Sequence, residues 1–258
     1  ANYNALFLRA DKRLSNGLVF GGNYTWSALL SDNDESLAVA NVADSSPPVP
    51  QDYRNRRPEW SRSAFDRPHR FAIHYSYTTP WISGGPAALR YVFQDWQLGG
   101  STEWQSGQPF TIRTGVDSLG NGRADSARPN SNPGGTFARD PVQGNLRTFT
   151  TPLAGGAFAT PLTAGGLPLA NSMPFGGDLG RNTLRGPDFA LWNFTLSKTF
   201  SLTERFKLRL RNDFVNLWNH RNFGPPENRM VAPTFGQNTR NQVGNTGRLM
   251  LASLKLSW

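Results

Sequence analysis

Leu249-Met-Leu-Ala-Ser-Leu-Lys-Leu-Ser-Trp258 ends the chain, and its reading decides the fold. Met250, Ala252, Leu254, Leu256 and Trp258 fall on one side of an extended backbone, with Ser253, Lys255 and Ser257 on the other. Alternation with period two gives a strand with one apolar and one wet face, because successive side chains leave a pleated backbone in opposite directions. About ten such residues, tilted, cross a bilayer as part of a barrel, and an aromatic end then sits at the interface. The same pattern suits the last strand of a soluble sandwich. The rest of the chain must choose.

At 258 residues the chain is long enough for one all-β domain or for part of a larger one. Only 37 % of the residues are hydrophobic, the mean hydropathy is −0.51, and no apolar run approaches the roughly 18–20 residues of a transmembrane helix. A transmembrane barrel is not excluded by that test, since only alternate residues of each strand meet lipid. Gly (26), Pro (19) and aromatic residues (12 %) suit short strands joined by long loops. Cysteine is absent, which removes disulfides, thiol nucleophiles and Cys-based metal sites. Residue 1 is Ala, with no basic or apolar leader behind it, so an export signal is expected upstream. The net charge of +9 points to anionic partners such as lipopolysaccharide, an acidic substrate or nucleic acid. Lys and Arg are dispersed, without a run of five, which argues against nucleic acid.

Six further alternating stretches precede the terminal one. The first, about Tyr3 to Leu14, sets Leu6, Leu8 and Ala10 against Phe7, Arg9, Asp11 and Arg13. After the turn signal Ser15-Asn16-Gly17, the second carries Leu18, Phe20, Gly22, Tyr24, Trp26 and Ala28 on one face. Both apolar sets are even-numbered, so a three-residue loop with Leu14 opposite Leu18 is expected, with Gly17 left-handed in a bulge. The third sets Phe71, Ile73, Tyr75 and Tyr77 against Ala72, His74 and Ser76. The fourth sets Trp96, Leu98, Gly100, Thr102 and Trp104 against Gln97, Ser101, Glu103 and Gln105. The fifth has Trp192, Phe194 and Leu196 opposed to Asn193, Thr195 and Ser197. The sixth has Phe206, Leu208, Leu210 and Phe214 opposed to Lys207, Arg209, Arg211 and Asp213.

The connections sort by length. Short ones (15–17, 80–93, 201–204) alternate with long polar ones (31–69, 107–187, 219–246). Outer-membrane barrels do this because their periplasmic turns are short and their extracellular loops long. A soluble sandwich has no reason to. The stretch 107–187 has no sustained periodicity, which would also count against a compact soluble domain. The expected fold is therefore all-β, an antiparallel up-and-down transmembrane β-barrel with long extracellular loops. If Trp258 ends at the periplasmic side, the first strand descends from outside. Seven strands are odd whereas single-chain bacterial barrels are even, so residues 1–258 are expected to be the C-terminal part of one larger barrel.

Several stretches resemble the C-terminal barrel of TonB-dependent outer-membrane receptors, of the Oar-like type with an N-terminal carboxypeptidase-regulatory-like domain. They are Ser63-Ala-Phe-Asp-Arg-Pro-His-Arg-Phe71, Trp96-Gln-Leu-Gly-Gly100, Ser106-Gly-Gln-Pro-Phe110, Gly180-Arg-Asn-Thr-Leu-Arg-Gly-Pro187, Glu204-Arg-Phe-Lys-Leu208 and Phe214-Val-Asn-Leu-Trp-Asn-His-Arg-Asn-Phe-Gly-Pro225. They occur in family order and cover most of the chain. The terminal strand likewise resembles the signal that barrel-assembly machinery recognises, with Leu254, Leu256 and Trp258 as its residues. The resemblance implies a 22-stranded barrel closed by a plug, with import driven through TonB. Plug and TonB would act through an N-terminal part outside these residues, and the bilayer with its lipopolysaccharide would be the standing partner.

Candidate site residues follow from this arrangement. His74, Glu103, Arg209, Arg211 and Asp213 are expected to face a wet lumen, and Tyr53, Arg56, Trp60, Asn219 and His220 to meet ligand at the outer mouth. Asp66-Arg67-Pro68-His69-Arg70 could suggest a catalytic or metal-binding His, yet three His and no Cys give no ligand spacing. Local pairing of Arg and Asp at the rim is the plainer expectation. Asp117-Ser-Leu-Gly-Asn-Gly-Arg-Ala-Asp125 is rich in oxygen ligands but lacks the alternating acids and closing Glu of a calcium loop. Asn216, Asn219, His220 and Asn222 could bind ligand or could fix the exit of the sixth strand by bonds to backbone. Trp26, Trp81, Trp104, Trp192 and Trp218 near strand ends fit interfacial girdles. No nucleophile triad, carboxylate pair or phosphate loop stands out, so no enzyme and no cofactor are expected.

Overall fold

The computed structural model describes residues 1–33, 50–52, 54–80, 84, 86–116, 127–139, 149–151, 155–159, 176–238, 240–242 and 247–258. Seven long strands lie in one sheet: β1 (Asn2–Ser15), β2 (Leu18–Ser31), β3 (His69–Thr78), β4 (Trp96–Gln105), β5 (Phe189–Ser201), β6 (Lys207–Val215) and β7 (Leu249–Ser257). Each pairs antiparallel with its neighbours in chain order, and a two-residue strand, Ser61–Arg62, extends the far end of β2. This is the up-and-down meander that the alternation predicts. β1 and β7 each pair on one side only, so the sheet is open.

Register carries one face across all seven strands. Leu8 stands opposite Tyr24, Tyr24 opposite Phe71, Phe71 opposite Trp104, Phe194 between Gly100 and Phe214, and Phe214 opposite Met250. Cross-strand neighbours share a face, so every apolar set merges into a single apolar surface. Among the described residues no second sheet covers it, which disposes of the sandwich. Leu254 remains 67 % exposed and Trp258 86 %. One close approach depends on Gly100, where a Cβ would stand 2.5 Å from Tyr75 Oη. The missing side chain lets that ring lie across the neighbouring strand.

The first turn departs from expectation. Asn16 (φ 58°) and Gly17 (φ 84°) are both left-handed, the signature of a two-residue primed turn, with Ser15 opposite Leu18. The even offset holds from Asn2 to Lys12 and is absorbed by an irregularity between Lys12 and Ser15, not by a three-residue loop. Gly17 is doubly constrained, because a Cβ there would lie 2.0 Å from Thr78 O. The short connection 80–93 also holds a helix that the sequence reading missed, α1 (Ala87–Phe93). Phe206 lies just before β6 instead of within it. Among the described residues no helix is long and apolar enough to cross a membrane.

The second surprise is the location of the core. Phe110, Ile112, Phe158 and Met230 form it, with Phe137, Ala157, Leu179, Leu184 and Phe235 packed against them. All nine lie outside the seven strands, in the long connections. Pairs of two-residue strands frame this layer: Pro109–Phe110 with Leu184–Arg185, Asn130–Ser131 with Phe158–Ala159, and Ala138–Arg139 with Phe149–Thr150. The described parts of 107–187 and 219–246 are thus a folded layer at the loop end of the sheet. Strands of two residues carry no period, so alternation could not announce them.

Candidate functional site

The face opposite the apolar one is polar, and its centre is concave. Ser76 of β3, Gln97, Gly99, Gly100 and Ser101 of β4, Asn193, Thr195 and Ser197 of β5, and Arg209 and Arg211 of β6 line a basin of about 360 Å³. Alternation explains all of the set but Gly100, because the residues interleaved with an apolar row must share the other face. Gly100 belongs to the apolar row and borders the basin with its backbone alone. Gly99, with no side chain on the polar face, keeps the floor low. The side chains offer hydroxyls, amides and two guanidiniums, a donor-rich surface suited to a hydroxylated or anionic solute.

Arg211 is held in place. Its Nε and one terminal nitrogen each donate to Asp213 carboxylate oxygens at 2.8 Å, and Thr195 Oγ1 donates to Asp213 Oδ1 at 2.6 Å. Arg209 donates to Thr199 Oγ1 over 3.4 Å, with Lys255 opposite it on β7. Of the five residues expected at the lumen, Arg209 and Arg211 line the basin and Asp213 orients one of them. His74 packs over Gly21, where a Cβ would meet its ring at 2.5 Å. Glu103 pairs with Arg70 at 2.7 Å. Both are on the polar face but outside the basin lining.

Above this face, the loop-end layer is tied down by buried ion pairs. Glu59, only 2 % exposed, accepts from Arg128 at 2.8 and 2.9 Å. Arg181 donates to Glu59 O at 3.0 Å and also reaches the Ser31 carbonyl at the end of β2. Gln51 completes the knot, donating to Gly177 O and accepting from Arg128 N, both at 2.9 Å. A second buried carboxylate, Asp66, takes Arg185 at 2.5 Å and the Leu29 backbone N–H at 2.7 Å. Sequence reasoning expected the acids and bases of 66–70 to pair locally. Asp66 does have a local partner in Arg62 at 3.6 Å, but its shorter pair is with Arg185, far along the chain.

Arg67 beside it donates to Gln108 Oε1 at 2.8 Å. Burial pushes its guanidinium down to about 10, the neighbouring Arg185 adds to the fall, and Asp66 opposes it, so the group stays charged at neutral pH. Gly107 N donates to Asp188 Oδ1 at 2.8 Å, and a Cβ on Gly107 would meet Gly186 O at 1.9 Å. The stretches that carried the family resemblance around Asp66, Gly107 and Arg185 therefore close against one another.

The outer-mouth candidates separate. Tyr53 lies outside the described residues, as do Trp81 and the loop Asp117–Asp125. Arg56 pairs with Asp32 at 3.4 Å, and Trp60 is half exposed nearby in sequence. Asn219 accepts from Arg248 N at 3.0 Å, while the His220 ring stands edge-on to Trp192 of the apolar face at 5.7 Å. No hydrogen bond, ion pair or ring contact among the described residues joins Arg56 or Trp60 to Asn219 or His220. Asn216 and Asn222 do structural work: Asn216 exchanges two 2.9 Å bonds with the His220 backbone, and Asn222 two 2.8 Å bonds with that of Ala190. Asn222 thereby completes the end of β5 as a strand would. His69 Nδ1 meets Tyr24 Oη at 2.7 Å, and the described residues contain no cluster of three potential metal ligands.

Comparison with known proteins gives one match: a family described as an outer membrane beta barrel domain, over residues 1–250. No curated protein and no solved structure matches the chain.

Proposed function

The chain belongs to the outer membrane beta barrel domain family and resides in the bacterial outer membrane, and from that we propose that it is a sector of a larger receptor barrel for TonB-dependent uptake. The ligand would be one too large for a porin, of siderophore, oligosaccharide or peptide class. The observation that carries this reading is the stacking of two features. A folded layer with its own core and buried ion pairs sits at the loop end of the sheet, and the polar face beside it holds a donor-rich basin. A passive pore has no need of so ordered a mouth, whereas a receptor must hold its ligand before passing it on. The order and content of the stretches resembling TonB-dependent receptors point the same way.

On this reading ligand is engaged at the layer, then handed down a lumen wall that includes Arg209 and Arg211 once a plug moves. Closure by further strands would satisfy the free edges of β1 and β7. The test is uptake by the native host. Arg209→Gln combined with Arg211→Gln should lower uptake of the cognate ligand at unchanged outer-membrane level, and collapse of the proton-motive force should abolish wild-type uptake. Uptake that survives the collapse would instead make this a passive porin or an adhesin-like barrel.

A further inference from the structure

The helix α1 stands on the membrane-facing side of the sheet. Trp96, Lys198 and Phe200 all belong to the apolar face at the turn end, with Trp96 opposite Lys198. α1 docks on these three. Tyr91 packs against Phe200 with ring centroids 5.8 Å apart, and Trp96 Nε1 donates to Val92 O at 2.7 Å. Lys198 Nζ donates to Tyr91 O at 2.8 Å, to Val92 O at 3.2 Å and to Gln94 O. A cation at the carbonyl end of a helix meets both the unpaired acceptors and the negative end of the dipole. The ammonium also stands 5.5 Å over the Trp96 ring.

The helix pinned in this way is apolar on its outside. Leu89, Tyr91, Val92 and Phe93 are each 51–57 % exposed, and Arg90 is the single charge in Ala87–Phe93. The charge pattern of the sheet agrees. Among the described residues of the seven long strands, Lys12 and Lys198 are the only Lys, Arg, Asp or Glu on the apolar face, and both lie at the turn end. Arg62 of the short strand stands opposite Leu30 at the loop end, where it pairs with Asp66. Lysines at the turn-end rim of an apolar surface suit anionic phosphate headgroups at that depth.

We propose that α1 is an interfacial anchor: it lies in the phospholipid leaflet at the turn end, with Leu89, Val92 and Phe93 among the acyl chains and Lys198 fixing it to the barrel wall. The occupant is lipid because the helix continues a surface that already faces the bilayer. Amphipathic segments bind at such interfaces in proportion to the apolar area they submerge.

The chain has no cysteine, so single labels are clean. The full-length gene product, free of other cysteines, would be reconstituted in phosphatidylethanolamine–phosphatidylglycerol vesicles with a solvent-sensitive fluorophore on Val92→Cys or Phe93→Cys. Leu254→Cys and Ser253→Cys report the apolar and polar faces of β7. Blue-shifted emission at positions 92 and 93, quenched by shallow nitroxide lipids and little by aqueous iodide, is expected. Iodide quenching at both positions while position 254 is quenched by lipid would overturn the anchor and leave the barrel intact. Shielding from both quenchers would overturn it in favour of a protein partner. Loss of lipid quenching at 254 as well would overturn the membrane reading with it. Lys198→Met should raise iodide access at position 92, and unchanged access would remove the pin from the proposal.

Discussion

At Glu59 one carboxylate binds guanidiniums from two distant segments, Arg128 and Arg181, almost wholly out of water. A buried ion pair adds little net stability over an apolar packing, but removing one partner strands the other charge, at about 3–5 kcal/mol. Glu59→Gln should therefore loosen the loop-end layer by roughly that amount. Faster amide exchange around 110–112 and 128–131, with β3–β6 unchanged, is the measurement. Glu227 offers the pH counterpart. Hydrogen bonding from Arg229 holds its carboxyl below the ordinary value of 4.5, against a smaller opposing effect of burial. On acidification the unfolded chain then takes up its proton first. The stabilisation is thus complete above the ordinary carboxylate value and fades as pH falls through the lower, folded one. Amide exchange in the layer should accelerate on acidification through that window more than in Glu227→Gln, once the intrinsic pH dependence of exchange is removed. Neither carboxylate was legible as a site in the sequence. Their partners are set by chain crossings that no local period records.

Elements divide by length. β1–β7 were legible because nine to fourteen residues of strict alternation leave little room for another reading. α1 was not, since seven residues give barely two turns and its N-terminus has no side-chain cap. A helix so short is marginal alone, and tertiary bonds to Trp96 and Lys198 hold it. The register makes a sharp prediction for β7. Leu254 and Ser253 are adjacent but face opposite solvents, with Leu210 and Arg211 as their partners. Leu254→Lys should cost about 2–4 kcal/mol in lipid, as a charge does near the bilayer midplane. Ser253→Lys should cost far less, because it enters a wet face. Heat-modifiable gel mobility of the two variants in membranes would separate them. Trp258→Ser with Leu256→Ser should, for its part, prevent assembly into the outer membrane, scored by surface proteolysis of intact cells.

For the whole molecule, the loop-length alternation disclosed the architecture, and the polar face disclosed Arg209 and Arg211 but not the basin they border. A concavity depends on sheet curvature and on the missing side chain of Gly99, which a linear pattern does not convey. The unpaired rims of β1 and β7 bear rows of free backbone donors and acceptors. The 258-residue chain refolded by itself in detergent should therefore self-associate through those rims, as sedimentation would show. The separation between an apolar face on the sheet and an apolar core in the loops has a thermal consequence. Melting the layer brings Phe110, Ile112, Phe158 and Met230 into water and should raise the heat capacity. The sheet's Leu and Phe already lie in hydrocarbon, so its disruption within lipid should give almost no such step. A calorimetric scan of the reconstituted protein would then show an early transition with a raised baseline and a late one without, and only the first would respond to urea.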